Sequence, residues 1–275
     1  GGLRYTQPVA TTVTIAGGQT LGVDGTIIVA PSVLSFNQLI TGGALTGSVG
    51  GGVLGLQQNS GGAFTVASII TDNGGVIGFT KGGNGRATLT GANTYTGATT
   101  LSGGVLAINT VANGGQASSL GTASADASNL VLEGGVLSYI GAGDTTDRGF
   151  TLVNGGGTRT IEVASSAANL TFVGLVTSPD DSGFIKTGAG TLTLANSAND
   201  YVGVTTVNGG VLAVTTLANG GLVSSIGKAG SDSANLVLAG GTLDYLGATT
   251  TSDRGFTLGA GGGGIGVNNA GTTLT

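Results

Sequence analysis

The residues of this chain that could do chemistry are few. DDSGF (Asp180 to Phe184) sets a serine beside two carboxylates, which superficially suits a hydrolase nucleophile. Such a serine needs a base, and an acid to orient that base. The chain has 275 residues and no histidine, so the usual base is missing. A polar turn after Pro179 is the simpler reading. Asp180-Asp181 is also the sole adjacent acidic pair, and the stretch at Asp72 and Asn73 carries one carboxylate. Glycoside cleavage needs two carboxyl groups facing one bond, so a polysaccharide-degrading enzyme stands as the alternative, not the first reading. GGNGRATLT (Gly82 to Thr90) comes near a calcium-binding β-roll nonapeptide. Arg86 stands where the aspartate is needed, and Thr191 stands there in a second copy. The expectation is no catalytic residue, no metal, no cofactor and a ligand-binding site that no motif marks.

Two features recur instead of clustering. Asp147-Arg148 in TDRGF returns as Asp253-Arg254 in SDRGF. An Asp-Arg pair repeated along a chain suits a structural device in which arginine caps strand-end carbonyls; a repeated ligand contact is the other reading. Tyr95 returns as Tyr201. Each either covers the corner of a structural unit or serves as an exposed aromatic anchor of the kind found at interfaces.

Composition narrows the classes. The chain has 58 glycines, 39% hydrophobic residues and only 8% charged residues. Without cysteine there is neither a disulfide nor a thiolate metal site. A net charge of −5, with the basic residues scattered singly, argues against nucleic acid as a partner. No apolar run approaches the roughly 18 residues of a spanning helix.

What positions these residues is a repeat. GANTYTGATTLSGGVLAI (Gly91 to Ile108) returns as SANDYVGVTTVNGGVLAV (Ser197 to Val214). Ser128 to Leu152 returns as Ala234 to Leu258, again 106 residues on, and Lys81 returns 105 residues on as Lys186. One long repeat therefore spans about 81–185. A second spans 186–275 and is truncated. Apolar strand-like runs begin near Val105, Leu130, Phe150, Leu170, Leu192 and Val211, which divides the repeat into five units of about 21 residues. A unit of that size cannot bury its own apolar face, but a stack of units can. The expectation is an all-β solenoid, one elongated domain over 1–275 with about 13 coils of roughly 21 residues. Val and Leu ladders should fill the axis, Thr should line the outside, and Gly pairs such as Gly103-Gly104 and Gly209-Gly210 should turn the corners. An ice-binding solenoid is a minor alternative that would need outward Thr-x-Thr on every coil.

Gly78 to Ile108 resembles the autotransporter-associated β-strand repeat: a Thr-Lys start, a Gly-rich turn, a TLT strand, Asn-Thr-Tyr-Thr-Gly, a Thr-Thr pair and a Gly-Gly-Val-Leu strand. Gly183 to Val214 also resembles it, departing where Asp200 and Val202 replace the threonines that flank the tyrosine. The resemblance covers about sixty residues. It implies the passenger of a type V secreted protein of a Gram-negative bacterium, a right-handed parallel β-helix displayed on the cell surface. It further implies a monomeric structural rod and adhesin. The partners it implies are a host-cell or extracellular-matrix protein such as fibronectin, and the passenger's own outer-membrane β-barrel translocator.

Overall fold

Short runs of Val, Ile, Leu and Thr favour extended backbone, because branched side chains fit a pleated surface. Gly-rich breaks between them end each run. The computed structural model describes residues 2–275, and Gly1 lies outside the described residues. In it the runs become strands that wind into stacked coils with three faces. The first face holds eight strands, from Leu3–Tyr5 to Val176–Thr177. The second holds twelve, from Thr11–Gly22 to Thr257–Leu258, and the third holds six, from Asp144–Thr146 to Gly264–Val267. Before Asp144 the third side is closed by turns and loops. Neighbouring strands pair in parallel, as where Val105–Ile108 lies between Arg86–Leu89 and Gly135–Tyr139. The all-β expectation holds. Three short 3-10 turns interrupt it, and two of them, Ala127–Asn129 and Ser233–Asn235, are copies capped by Asp126 and Asp232.

The uniform coil that the sequence suggested is not found. Ala87 lies beside Leu106, and Leu106 beside Leu137, so the coil after Leu106 is far longer than the coil before it. The path of the second face has eleven rungs where 13 coils were expected. At the spacing of stacked strands that makes a rod roughly 50 Å long. The expected division failed because it mixed faces. Val105 starts a strand on the second face, Leu130 and Phe150 start strands on the first, and Leu170, Leu192 and Val211 lie on the third. The long period was real, but its fifths were not coils.

The period has a further property. Arg86–Leu89 lies on the second face, whereas its copy Thr191–Leu194 lies on the third. Thr99–Leu101 lies on the first face, and its copy Thr205–Val207 on the second. From Phe79 the first face is revisited at Thr99, Leu130, Phe150 and Val176. The copy of Phe79, which is Phe184, then arrives one face later. One repeat is thus four turns and a third.

Inward residues form the expected ladders. Leu106, Leu137 and Ile161 stack on the second face, and Leu170, Leu192, Leu212 and Leu243 on the third. All belong to one hydrophobic cluster. Outside, Thr80, Thr100, Thr151 and Thr177 share one column of the first face, with Val131 between Thr100 and Thr151. A single column lacks the paired rows that ice recognition would need.

Candidate functional site

Two of the inward ladders contain a lysine. Lys81 stacks between Leu56 and Leu101, and Lys186 between Ile161 and Val207. Both side chains are wholly buried. An ammonium has three protons to donate, and here each finds a carbonyl at the glycine corner. Lys81 Nζ donates to Gly82 O at 2.7 Å and to Gly83 O and Gly103 O at 3.2 Å. Lys186 Nζ donates to Thr187 O at 2.7 Å and to Gly188 O and Gly209 O at 3.1 Å. Burial pushes both amines down to about 8, with Glu162 opposing the shift at Lys186. The corner itself requires glycine. Gly104 and Gly210 have φ of 62° and 60°, and a Cβ on either would collide with main-chain carbonyls of the preceding coil.

The Asp-Arg pairs close the longest coils. After Ile108 the chain leaves the wall and returns at the turn that Asp126 caps. Arg148, 2% exposed, holds this excursion from the next coil. Its Nε donates to Ala112 O at 2.9 Å, and its Nη2 to Gly121 O at 2.9 Å. Asp147 accepts the Gly114 N–H at 2.7 Å, while Asn113 Oδ1 accepts the Asp147 N–H at 3.0 Å. The second copy repeats each bond. Arg254 reaches Ala218 O at 2.9 Å and Gly227 O at 2.8 Å, and Asp253 accepts from Gly220 N at 2.7 Å. The pair is a clamp, as the carbonyl-capping reading expected, though the carbonyls belong to a loop rather than to strand ends.

One more side chain pins each excursion. Asn93 accepts the Ile70 N–H at 2.8 Å and donates to Ser119 O at 2.9 Å. Asn199 does the same with Val176 N and Ser225 O. Tyr95 and Tyr201 lie inside the core and bond Thr99 and Thr205 at 2.6 and 2.8 Å. Burial raises both phenols well above their ordinary value. Neither ring is an exposed anchor, and neither covers a corner from outside. Each packs beside a phenylalanine, Phe79 or Phe184.

The candidate catalytic groups are turn fittings. Asp180 accepts from Ser182 N at 2.9 Å and from Asn154 N of the preceding coil at 2.8 Å. The neighbouring Ser182 side chain first, and then the Asn154 N–H, hold its carboxyl below the usual range, although the Ser182 hydroxyl stands outside hydrogen-bonding geometry. Ser182 is buried, and its hydroxyl finds no partner among the described residues. Asp181 is exposed. Burial would raise Asp72, but bonds from Thr96 and Ile77 outweigh it and hold this acid low as well. Asn73 donates to Gly47 O at 3.1 Å. Arg86 lies along the outer wall, with Nη2 3.5 Å from Ser138 Oγ. Among the described residues, no three acids converge as metal ligands would.

Sequence reasoning used Lys81, Lys186, Asn93 and Asn199 only to set the repeat's register and to carry the family resemblance. Their structural work was visible as polar residues held at fixed places inside apolar rungs, as in GFTK and GFIK.

The model of the passenger-associated transport repeat matches residues 79–108 and 184–214. Those segments carry the buried lysines, the asparagine pins and the tyrosines; the arginine clamps lie outside them. Over all 275 residues the chain is 65% identical to the adhesin BmaC autotransporter of Brucella suis biovar 1 (strain 1330). It spans 8% of that protein's length. No solved structure matches it.

Proposed function

We propose that this chain is part of an autotransporter passenger and that it serves there as a stretch of an adhesive rod. Such a passenger is secreted through the outer membrane and displayed at the cell surface. The observation that carries the adhesive reading is its 65% identity, over its whole length, to part of a protein named an adhesin. The geometry supports it, because the chain's scarce reactive groups are engaged in holding coils together. Lys81, Lys186, Arg148 and Arg254 cap main-chain carbonyls. Asp72, Asp147, Asp180 and Asp253 accept main-chain N–H groups. Little is left for turnover, and the role is non-enzymatic and needs no cofactor.

In this reading 1–275 is a single elongated unit, with long repeats at 81–185 and 186–275. The winding is right-handed, the sense that parallel crossover connections take. The rod is monomeric. Its partners are a protein of the host cell surface or extracellular matrix, fibronectin being the first to try, and the β-barrel translocator of its own passenger.

The chain, fluorescently labelled, should bind immobilised matrix proteins and cultured host cells in a saturable way. Bacteria lacking this segment, with export intact, should adhere less. Equal adhesion with and without it would refute the adhesive role. Cleavage of pectin, chitin or glycosaminoglycan that depended on Asp180 or Asp181 would instead support the enzyme.

A further inference from the structure

The two copies differ at one place where their clamps agree. In the first copy, Asp144 turns its carboxylate under the excursion. Its Oδ2 accepts the Val111 N–H at 2.8 Å and the Tyr139 hydroxyl at 2.9 Å. Gly143, with φ of 142°, lets the chain make this bend, and its N–H donates to the same hydroxyl at 3.0 Å. In the second copy Thr249 and Thr250 replace Gly143 and Asp144. A β-branched residue does not tolerate that φ, and the loop runs differently. The Tyr245 hydroxyl turns to Ala248 O at 2.6 Å. The Leu217 N–H, the counterpart of Val111 N–H, has no acceptor among the described residues.

The place left by the carboxylate is an open groove of about 450 Å³, lined in part by Leu217, Tyr245 and Thr250. Its rim also changes. Gln116 and Ala117 of the first copy become Leu222 and Val223, which are 58% and 46% exposed. Arg254 lies close by, donating to Leu222 O at 3.0 Å, while Asp253 is engaged by Gly220 N.

We propose that the second copy's groove binds a carboxylate side chain from a partner protein, in the position that Asp144 fills for itself in the first copy. The Leu217 N–H is the free donor, since the Tyr245 hydroxyl is already committed to Ala248 O, and the Arg254 guanidinium at the rim supplies the favourable field. Leu222 and Val223 take an apolar side chain next to the acid. The ligand is therefore an extended segment in which Asp or Glu adjoins Leu, Val or a similar residue. A uronate sugar offers the same carboxylate but nothing for the two exposed aliphatic side chains, so the peptide is favoured. The proposal rests on the adhesive reading and gives it a partner chemistry.

The test is a titration of the isotopically labelled chain with acetyl-Leu-Asp-Leu-amide, read at backbone amides by NMR. The Leu217 and Val223 amides should shift and saturate, and the Asn analogue of the peptide should bind at least about tenfold more weakly. Thr249→Gly with Thr250→Asp should install the internal carboxylate, keep or raise the melting midpoint, and abolish the response. Should that variant not fold, Leu222→Gln with Val223→Ala changes only exposed side chains, and it should weaken the peptide about tenfold, as loss of an apolar contact does. The proposal is overturned if Leu217 does not shift, if the Asn analogue binds equally, if neither variant weakens the response, or if glucuronate saturates the same amide as well as the peptide. Host-cell binding by a chain whose Leu217 amide stays silent would remove this site and leave the adhesive reading standing.

Discussion

Between Ile108 and Asp126, and again between Val214 and Asp232, the chain leaves the wall of the rod and is brought back by the same bonds. Arginine, aspartate, asparagine and serine recur at matching places in the two copies. Their bond lengths nearly coincide: the arginine Nε bond is 2.9 Å in each, and the aspartate bond 2.7 Å in each. The surfaces so held do not agree. The first excursion is filled beneath by Asp144 and ends in Gln116 and Ala117; the second is hollow and ends in Leu222 and Val223. The clamp's partners are mostly main-chain carbonyls and N–H groups, so it constrains few of the side chains around it. Attachment and display are separate in this fold, and display is free to vary.

The largest test asks whether the copies share one core. Leu106→Asp and Leu212→Asp each bury an unpaired carboxylate in a ladder, and each should cost about 3–5 kcal/mol in urea denaturation. A variant that kept the parent's curve would place that leucine outside its ladder.

A smaller effect should separate the copies. Arg148 is almost fully covered, whereas Arg254 is partly open to water. Arg148→Ala should cost about 3 kcal/mol and Arg254→Ala about half that, since bonds from a charged donor count for more where water cannot replace them. Equal losses would mean that the second clamp is as enclosed as the first.

The lysines should behave alike. Lys81→Met or Lys186→Met keeps the apolar stem but strands three carbonyls, costing about 2 kcal/mol. Their pH dependence has a definite sign. Both amines sit near 8 when folded, against 10.5 as ordinary lysines. Between those values the unfolded chain binds more protons, so stability should rise as pH increases from 8 towards 10. The tyrosines reverse the trend above pH 10, because burial raises Tyr5 and Tyr139 to about 12. The double Lys→Met variant should flatten the rise, and urea midpoints at pH 7 and 9.5 would show it.

The smallest difference lies within one turn. Asp180→Ala removes acceptors from Ser182 and Asn154 and should cost about 1 kcal/mol, whereas Asp181→Ala should fall within about 0.5 kcal/mol. Read from the sequence as a plain polar turn, neither carboxylate would be expected to matter. The Asn154 bond, made to another coil, is what changes that expectation.

How much of this was legible beforehand depended on whether a residue's partner lay nearby in sequence. Alternation in GVLAI and TLTLA, with glycine pairs between, was enough for stacked strands, because burial of a period-two face is a local property. The length of a coil was not local. It depends on loops such as 109–126, which lengthen one turn without disturbing the strands on either side. The lysines showed as polar intrusions in apolar rungs, but the carbonyls they bond include Gly103 and Gly209, on the next coil. The groove was hidden altogether. The exchange of Gly143 and Asp144 for two threonines is conspicuous only once Val111 is seen to need an acceptor.

Four turns and a third per repeat sets the two copies as leaves are set around a stem. Successive copies stand about 120° apart and roughly 21 Å further along, by the spacing of stacked strands. Neither shades the other. A flat wall laid along the rod meets one copy and not its neighbour, and a mesh wrapped round it meets both. A further copy in the same sequence would take up the remaining flank, and only the next after that would return to the first line of sight. Such a stem has no front or back.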